Sequence, residues 1–421
     1  MKDKLINYYN DIKSELPEFL GLERQPAMHY FEQTGFPNSR MEKWQKSVIR
    51  KFTDKTAYSI NDAYHLEPEV QWTEDEHSIC IKISRLPNEN KTFWKHESGA
   101  VLGSLRFGAE EFPAIFSQHF NKYARHDLNG FTAVNTALTD HGYFLYFPKG
   151  TSLDKPIYLS VDNTQSGQFQ LLRNLIILDD QVSATFIQSD LTRDQFSGFQ
   201  HSITEVFVGN NSHLRWFIEQ DHGKDSGAVN NIFVHQDKNS ECTILNASIR
   251  GGMIRNEVHV RLNEEGSTSN VYGVYLPGTG EQVDNQVFID HAFPNCQSNE
   301  LFKGVLNGEG TSVFNGHILV RQDAQKTNAY QKNRNILLSD AANAYAKPFL
   351  EIYADDVKCS HGATIGQLDE NALFYLQSRG LSIAKAKEFL VKAFLGEILD
   401  ICGHEVFKRQ LEEKIEKKLH E

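Results

Sequence analysis

Cysteine is sparse and scattered in this sequence, five in 421 residues. Cys80, Cys242, Cys296, Cys359 and Cys402 form no C-x-x-C pair, and an odd number in a chain this long argues against a disulfide framework. The same lack of clustered ligand pairs argues against a self-contained zinc finger. Positive charge is also short. With 43 Lys and Arg against 55 Asp and Glu the net charge is −12, so the chain lacks the basic footprint that grips nucleic acid or an anionic membrane. No apolar run is long enough to span a bilayer. The opening MKDKLINYYNDIKSEL has no apolar stretch of the secretory-signal kind. The expectation is a soluble, cytoplasmic protein that binds neither nucleic acid nor membrane.

The usual catalytic signatures are missing too. There is no G-x-x-x-x-G-K-[ST] for nucleotide phosphates, no G-x-G-x-x-G after a strand, no G-x-S-x-G elbow and no H-E-x-x-H. Gly278-Thr279-Gly280 reads as a turn in a strand-rich region. Asn210 and Asn246 head N-x-[ST] triplets, and without secretion they read as turn residues.

What the chain does have is three textures. At the N-terminus Leu5, Tyr9, Ile12 and Leu16 recur at helical intervals, with Pro17 ending the run, and residues 26–52 read as two short helices around a loop. From about residue 80 short β-branched and aromatic runs follow one another, among them ICIKISRL, NLIILDD, SHLRWFIE, ECTILNAS and GHILVRQ, separated by Asn, Asp and Gly. A turn, a serine and a strand recur at Ser183, Ser212, Ser240 and Ser267, in steps of 29, 28 and 27 residues. GEGTSVFNG at 308–316 resembles a further copy that does not fit the count. Steps of this size suit the coil of a β-solenoid, although a sandwich also repeats its turn signals regularly. After residue 370 two helices return. SIAKAKEFLVKAFLGEIL has an apolar surface wide enough to be mostly buried, with Lys385, Lys387, Glu388 and Lys392 on the remaining polar side, and the last carries Phe407, Leu411 and Ile415 four residues apart. Such a pair either caps the β body or docks a partner.

Chemistry concentrates in residues 328–380. If the strand FLEIYADDVK continues, Cys359 and His361 face one side and Ser360 the other. A thiolate and an imidazole on one side can share a soft metal ion or hold a persulfide, but they supply only two ligands. Lys358 and a protonated His361 would lower the thiol pKa. Against this stands the plainer reading of Cys359 as a small core residue and His361 as a turn histidine. Cys242 and Cys80 read as core, Cys296 as a turn thiol, and Asp355-Asp356 as an exposed acidic strand end rather than an acid–base pair.

This stretch also carries a resemblance. NAYQKNRNILLSD and KPFLEIYADDVKCSHGATIGQLDENALFYLQSRGLS resemble the C-terminal core of the SufB/SufD family of iron–sulfur cluster assembly proteins. GFPNSRMEKWQKS and GFTAVNTALTDHGYFLYFPKG extend the likeness over most of the chain. SufB-type sequences place an acidic residue directly after the core histidine and a cysteine in the segment before it. Here Gly362 follows His361 and NRNILLSD has no cysteine, so the likeness is to the SufD branch.

The resemblance implies a mainly β fold, a right-handed parallel β-helix core between helical ends. The expected division is a mostly helical region over 1–95, the β-helix over 96–366 and a helical region over 367–421. It further implies a non-catalytic scaffold that pairs with a SufB-like subunit and binds a SufC-like ATPase through the C-terminal helices. His361, and after it Cys359, would serve the metal or sulfur site at the partner interface. Iron or an iron–sulfur cluster would be held transiently, with reduced flavin a candidate ligand of the complex. Two other readings stay open: a SufB-like homodimeric scaffold, and a β-helix enzyme acting on carbohydrate.

Overall fold

The structure is a computed structural model that describes all residues except Pro17, Thr56, 61–67, 75–77, 86–92, 164–166, 193–196 and Glu421. From Gln168 to Gly366 fourteen strands of eight to eleven residues alternate between two sheets, so that each pairs in parallel with the strand two places on. They form a parallel β-solenoid of about seven turns with helices at both termini. The reason lies in stacked apolar positions. Ile176, Val206, Val234, Val260, Ile289, Ile318 and Leu350 stand directly above one another in register. They point into the core shared by the two sheets. Each rung alone would leave its inward row wet; stacking buries all of them at once.

The serine repeat marks one corner of the coil, with one correction. The residues that share this corner are Val182, Ser212, Ser240, Ser267, Cys296 and Thr327, each just before a strand residue of the same register. Ser183 therefore lies one residue past the corner. The Ser240, Ser267 and Thr327 hydroxyls each donate to the carbonyl three residues back, at 2.7, 2.7 and 2.9 Å, closing the turn. GEGTSVFNG missed the count because its strand, Thr311–Val320, belongs to the other sheet. Cys296 occupies the serine's place and is fully buried, not an accessible turn thiol. Cys80 departs in the opposite sense: it is exposed, while its neighbours Ile79 and Ile81 turn into the core.

At the N-terminal end, helix Lys2–Ile12 buries Leu5 and Tyr9, while Pro17 lies outside the described residues. Helix Arg24–Thr34, the short turn Glu42–Trp44 and helix Arg50–Thr53 gather with helix Gly130–Leu138 around Phe31, Trp44, Phe52 and Phe131. The GFPN and GFTAVN segments meet here: a Cβ on Gly130 would stand 1.8 Å from the Gly35 carbonyl oxygen, so only glycine fits. Trp44 then lies 3.6 Å from the buried Arg255 guanidinium, which donates to Glu257 at 2.6 Å and pairs with Asp284. That cation–π and ion-pair cluster fixes the N-terminal segment to the side of the solenoid.

At the other end, helices Ile383–Leu399 and Glu405–Leu419 set Val391, Leu395, Ile398, Phe407, Leu411 and Ile415 against Phe217, Leu245, Val274 and Val305. These partners stand on the outer surface of the ten-stranded sheet. Glu388, placed by the sequence on the polar side, is 8% exposed and held by Lys385 and Lys392 at 2.8 and 3.0 Å. The pair thus flanks the solenoid and leaves its last rung uncovered.

Candidate functional site

The last rung consists of strands Asn343–Ile352 and Val357–Gly366. Each is the terminal strand of its sheet, paired on one side only. Their free edges therefore present unpaired backbone groups. Tyr345, Phe349, Ile352, Tyr353 and Ile365 are exposed along this end.

Val357–Gly366 carries both sequence candidates. The strand below it, Thr327–Leu337, buries Ala329, Gln331 and Asn333 while Tyr330 and Lys332 are exposed, which identifies the inward side. Cys359 pairs with Ala329 and His361 with Gln331, so both belong to the inward side, roughly 7 Å apart along the strand. Cys359 is half-buried and packs against the core; His361 is exposed at the mouth. Lys358 falls on the outward side. It does not activate the thiol as the sequence led one to expect. Burial instead pushes the Cys359 thiol above its ordinary value, partly offset by a hydrogen bond to the Ala329 backbone. Asp355 and Asp356 are exposed in the turn between the two strands.

Beneath these two residues the solenoid interior changes character. The column ending at His361 runs Phe186, Trp216, Ile244, Val271, Glu300, Gln331, His361. It is apolar for four rungs and polar for the last three. Gln331 Nε2 donates to Glu300 Oε2 at 3.0 Å, and both residues are buried. Two and four residues further along the same strand as Gln331, Asn333 and Asn335 close a hydrogen-bonded triangle with Tyr275, with three bonds of 2.8 Å. Sequence reading missed Glu300. In SNELFKG the alternation equally allows Leu301 inside, but Leu301 belongs to the cluster under the C-terminal helices and Glu300 turns into the tube.

Burial raises the Glu300 carboxyl to about 8, opposed by the Gln331 hydrogen bond, so the group is mostly neutral at pH 7. An acid raised in the folded state stabilises fully below its ordinary value of 4.5, and that contribution is lost as pH climbs through about 8. Glu300→Gln is expected to remove this part of the decline. Identical stability profiles for wild type and variant between these pH values would contradict the assignment.

Among the described residues, the one group of three or more candidate ligating side chains is Glu388, Glu416 and His420 on the C-terminal helices. Its carboxylates are already engaged by Lys385 and Lys392. Cys359 and His361 supply a soft and a borderline donor without a third from this chain.

The structure is thus a parallel β-solenoid with flanking helices and an open terminal rung that carries a thiol and an imidazole on one side of a strand. Comparison with known proteins makes this specific. Residues 160–394 match the SufBD core domain of SUF system FeS cluster assembly proteins, and residues 2–159 match the SufBD N-terminal region. The chain belongs to the SufBD family and is SufD-like. It is 32% identical over 253 residues to the iron–sulfur cluster assembly protein SufD of Escherichia coli K12, covering 59% of this chain and 58% of that one. To SufD of Bacillus subtilis 168 it is 27% identical over 341 residues, 77% and 75% of the two chains. To the SufBD family protein slr0076 of Synechocystis it is 31% identical over 283 residues, 64% and 62%. The matched stretches thus span less than two thirds of the E. coli and Synechocystis relatives. No described helix is long and apolar enough to cross a membrane.

Proposed function

We propose that this chain is a non-catalytic scaffold subunit of an iron–sulfur cluster assembly complex. It pairs through its terminal rung with a SufB-like subunit and binds a SufC-like ATPase through its C-terminal helices. Iron or a nascent cluster is the cargo, held between the two scaffold chains. The observation that carries this reading is the placement of Cys359 and His361 side by side on the inward side of an uncovered rung. Half a ligand set at an open sheet edge is what a site shared between two chains requires.

The residues have distinct tasks in this reading. His361 offers an exposed imidazole nitrogen, a good donor to ferrous iron. Burial of Cys359 disfavours its thiolate, so a metal that binds there displaces the thiol proton. The terminal strands offer backbone donors and acceptors, with Phe349 and Tyr353 as exposed anchors. Pairing then covers the rung and removes water from the site.

Native mass spectrometry of the chain co-expressed with SufB-like and SufC-like subunits tests the pairing. A heterodimer bound to the ATPase supports the reading, and a homodimer that excludes the SufB-like chain contradicts it. For the ATPase contact, Ile383 and Phe389 are 56% and 57% exposed on helix Ile383–Leu399. Phe389→Asp is expected to abolish capture of the ATPase while leaving the fold and SufB-like pairing intact. Unchanged capture would mean that the helices only cover the sheet.

A further inference from the structure

The buried pair beneath His361 is unexplained by the scaffold reading alone. Glu300 Oε1 and Gln331 Oε1 are both fully buried, and neither has a hydrogen-bond partner. A buried carbonyl or carboxyl oxygen left without a donor costs about 1–3 kcal/mol. Gln331 donates one amide N–H to Glu300, which orients the amide and leaves its carbonyl oxygen as a free acceptor one register position below His361. Room for this arrangement comes from the opposite sheet. A Cβ on Gly316 would fall 2.1 Å from Gln331 Nε2, so glycine there lets the amide reach across the tube. Among the described residues the His361 side chain makes no hydrogen bond or ion pair, and only its backbone is engaged in the ladder.

We infer that Gln331 and Glu300 are positioning residues for His361. When one ring nitrogen of His361 takes ferrous iron, the ring donates its other N–H to Gln331 Oε1, and Glu300 holds the amide in the orientation that makes this oxygen available. An imidazole ligand commonly gives its second N–H to such an acceptor, which fixes the tautomer and raises the basicity of the ligating nitrogen. Here the acceptor is an amide backed by a buried acid, assembled from three successive rungs of one column. The inference rests on the proposed role of His361 and adds two residues that never touch the metal.

The test is an anaerobic titration of ferrous iron into the full-length chain, alone and co-purified with the SufB-like subunit, with the His361 ring nitrogens followed by NMR using zinc as a diamagnetic probe. Gln331→Met and Glu300→Met are expected to weaken iron binding about 10-fold or more and to release the bound ring from a single tautomer. Glu300→Gln, which keeps an acceptor for the Gln331 amide, is expected to retain wild-type affinity and tautomer. Wild-type binding by Gln331→Met would overturn the inference, as would equal loss in Glu300→Gln and Glu300→Met. Separately, if His361→Ala binds iron as wild type does, the site reading itself fails. If His361→Ala loses iron while both methionine variants keep it, only the positioning role fails.

Discussion

Phe349→Asp is expected to break the complex with the SufB-like subunit while the chain itself stays folded. Phe349 lies on the terminal strand Asn343–Ile352, is 49% exposed, and meets the His317 ring edge-on at 4.8 Å. It closes a row of outward rings that steps along the sheet through Phe233, His259, Phe288 and His317. A half-exposed aromatic at a free sheet edge has the character of an interface anchor, and such anchors often contribute 2 kcal/mol or more. A carboxylate buried in its place adds a desolvation cost. Together these should weaken pairing by about 100-fold or more. Co-purification of the variant with the tagged SufB-like subunit reads the result directly. Undiminished recovery would place the interface elsewhere.

The second large effect concerns stability. Glu205 is completely buried and accepts backbone N–H bonds from Asn121, Lys122 and Tyr123 at 2.7, 2.7 and 2.8 Å, with Arg173 at 3.5 Å. It is the anion around which the 121–124 loop folds, including Asn121 at φ +60°. Glu205→Ala strips the anionic partner from a fully buried guanidinium, which keeps only neutral acceptors, and removes the shared acceptor of the 121–124 backbone N–H groups. The expected loss is about 3–5 kcal/mol, seen as a lower first transition in thermal unfolding and as early proteolysis within 120–124. Adding Arg173→Met should recover part of it, because the buried cation is then no longer orphaned. A Glu205→Ala protein as stable as wild type would show that the loop is held by its apolar contacts alone.

The outline of the fold was legible in the sequence because it rests on local rules. Leu5 and Tyr9, then Phe407, Leu411 and Ile415, repeat at helical spacing and are buried where that spacing puts them. The corner serines repeat because every coil must turn at the same place, and Ser212, Ser240 and Ser267 do stack. The register failed by one residue at Ser183, since a turn motif marks a corner only to within a residue while pairing is set by backbone geometry. Burial of single residues was the weakest part. Nothing local distinguishes Cys80, exposed beside Ile79 and Ile81, from Cys242, buried in the core. What decides is which neighbour lies across the sheet, and that is a long-range fact.

The candidate site shows the same division. Alternation alone puts Cys359 and His361 on one side of a strand, and they share the inward side. That this strand is the last one, open at its edge, follows only from how many coils stack before the chain leaves the sheet. Glu300 and Gln331 were invisible for a related reason. Both are polar residues in strands whose exterior is also partly covered, so alternation could not say which row faces in. Steps of 31 and 30 residues separate each from the next in the column, and only the register reveals Glu300, Gln331 and His361 as one stack.

The most direct measurement is anaerobic reconstitution of the co-purified complex with ferrous iron and sulfide, comparing wild type with His361→Ala by cluster absorbance and iron content. A complex that assembles in full but loses most of its cluster is the predicted outcome for the variant. A His361→Ala complex that carries as much cluster as wild type would contradict a shared site on the terminal rung.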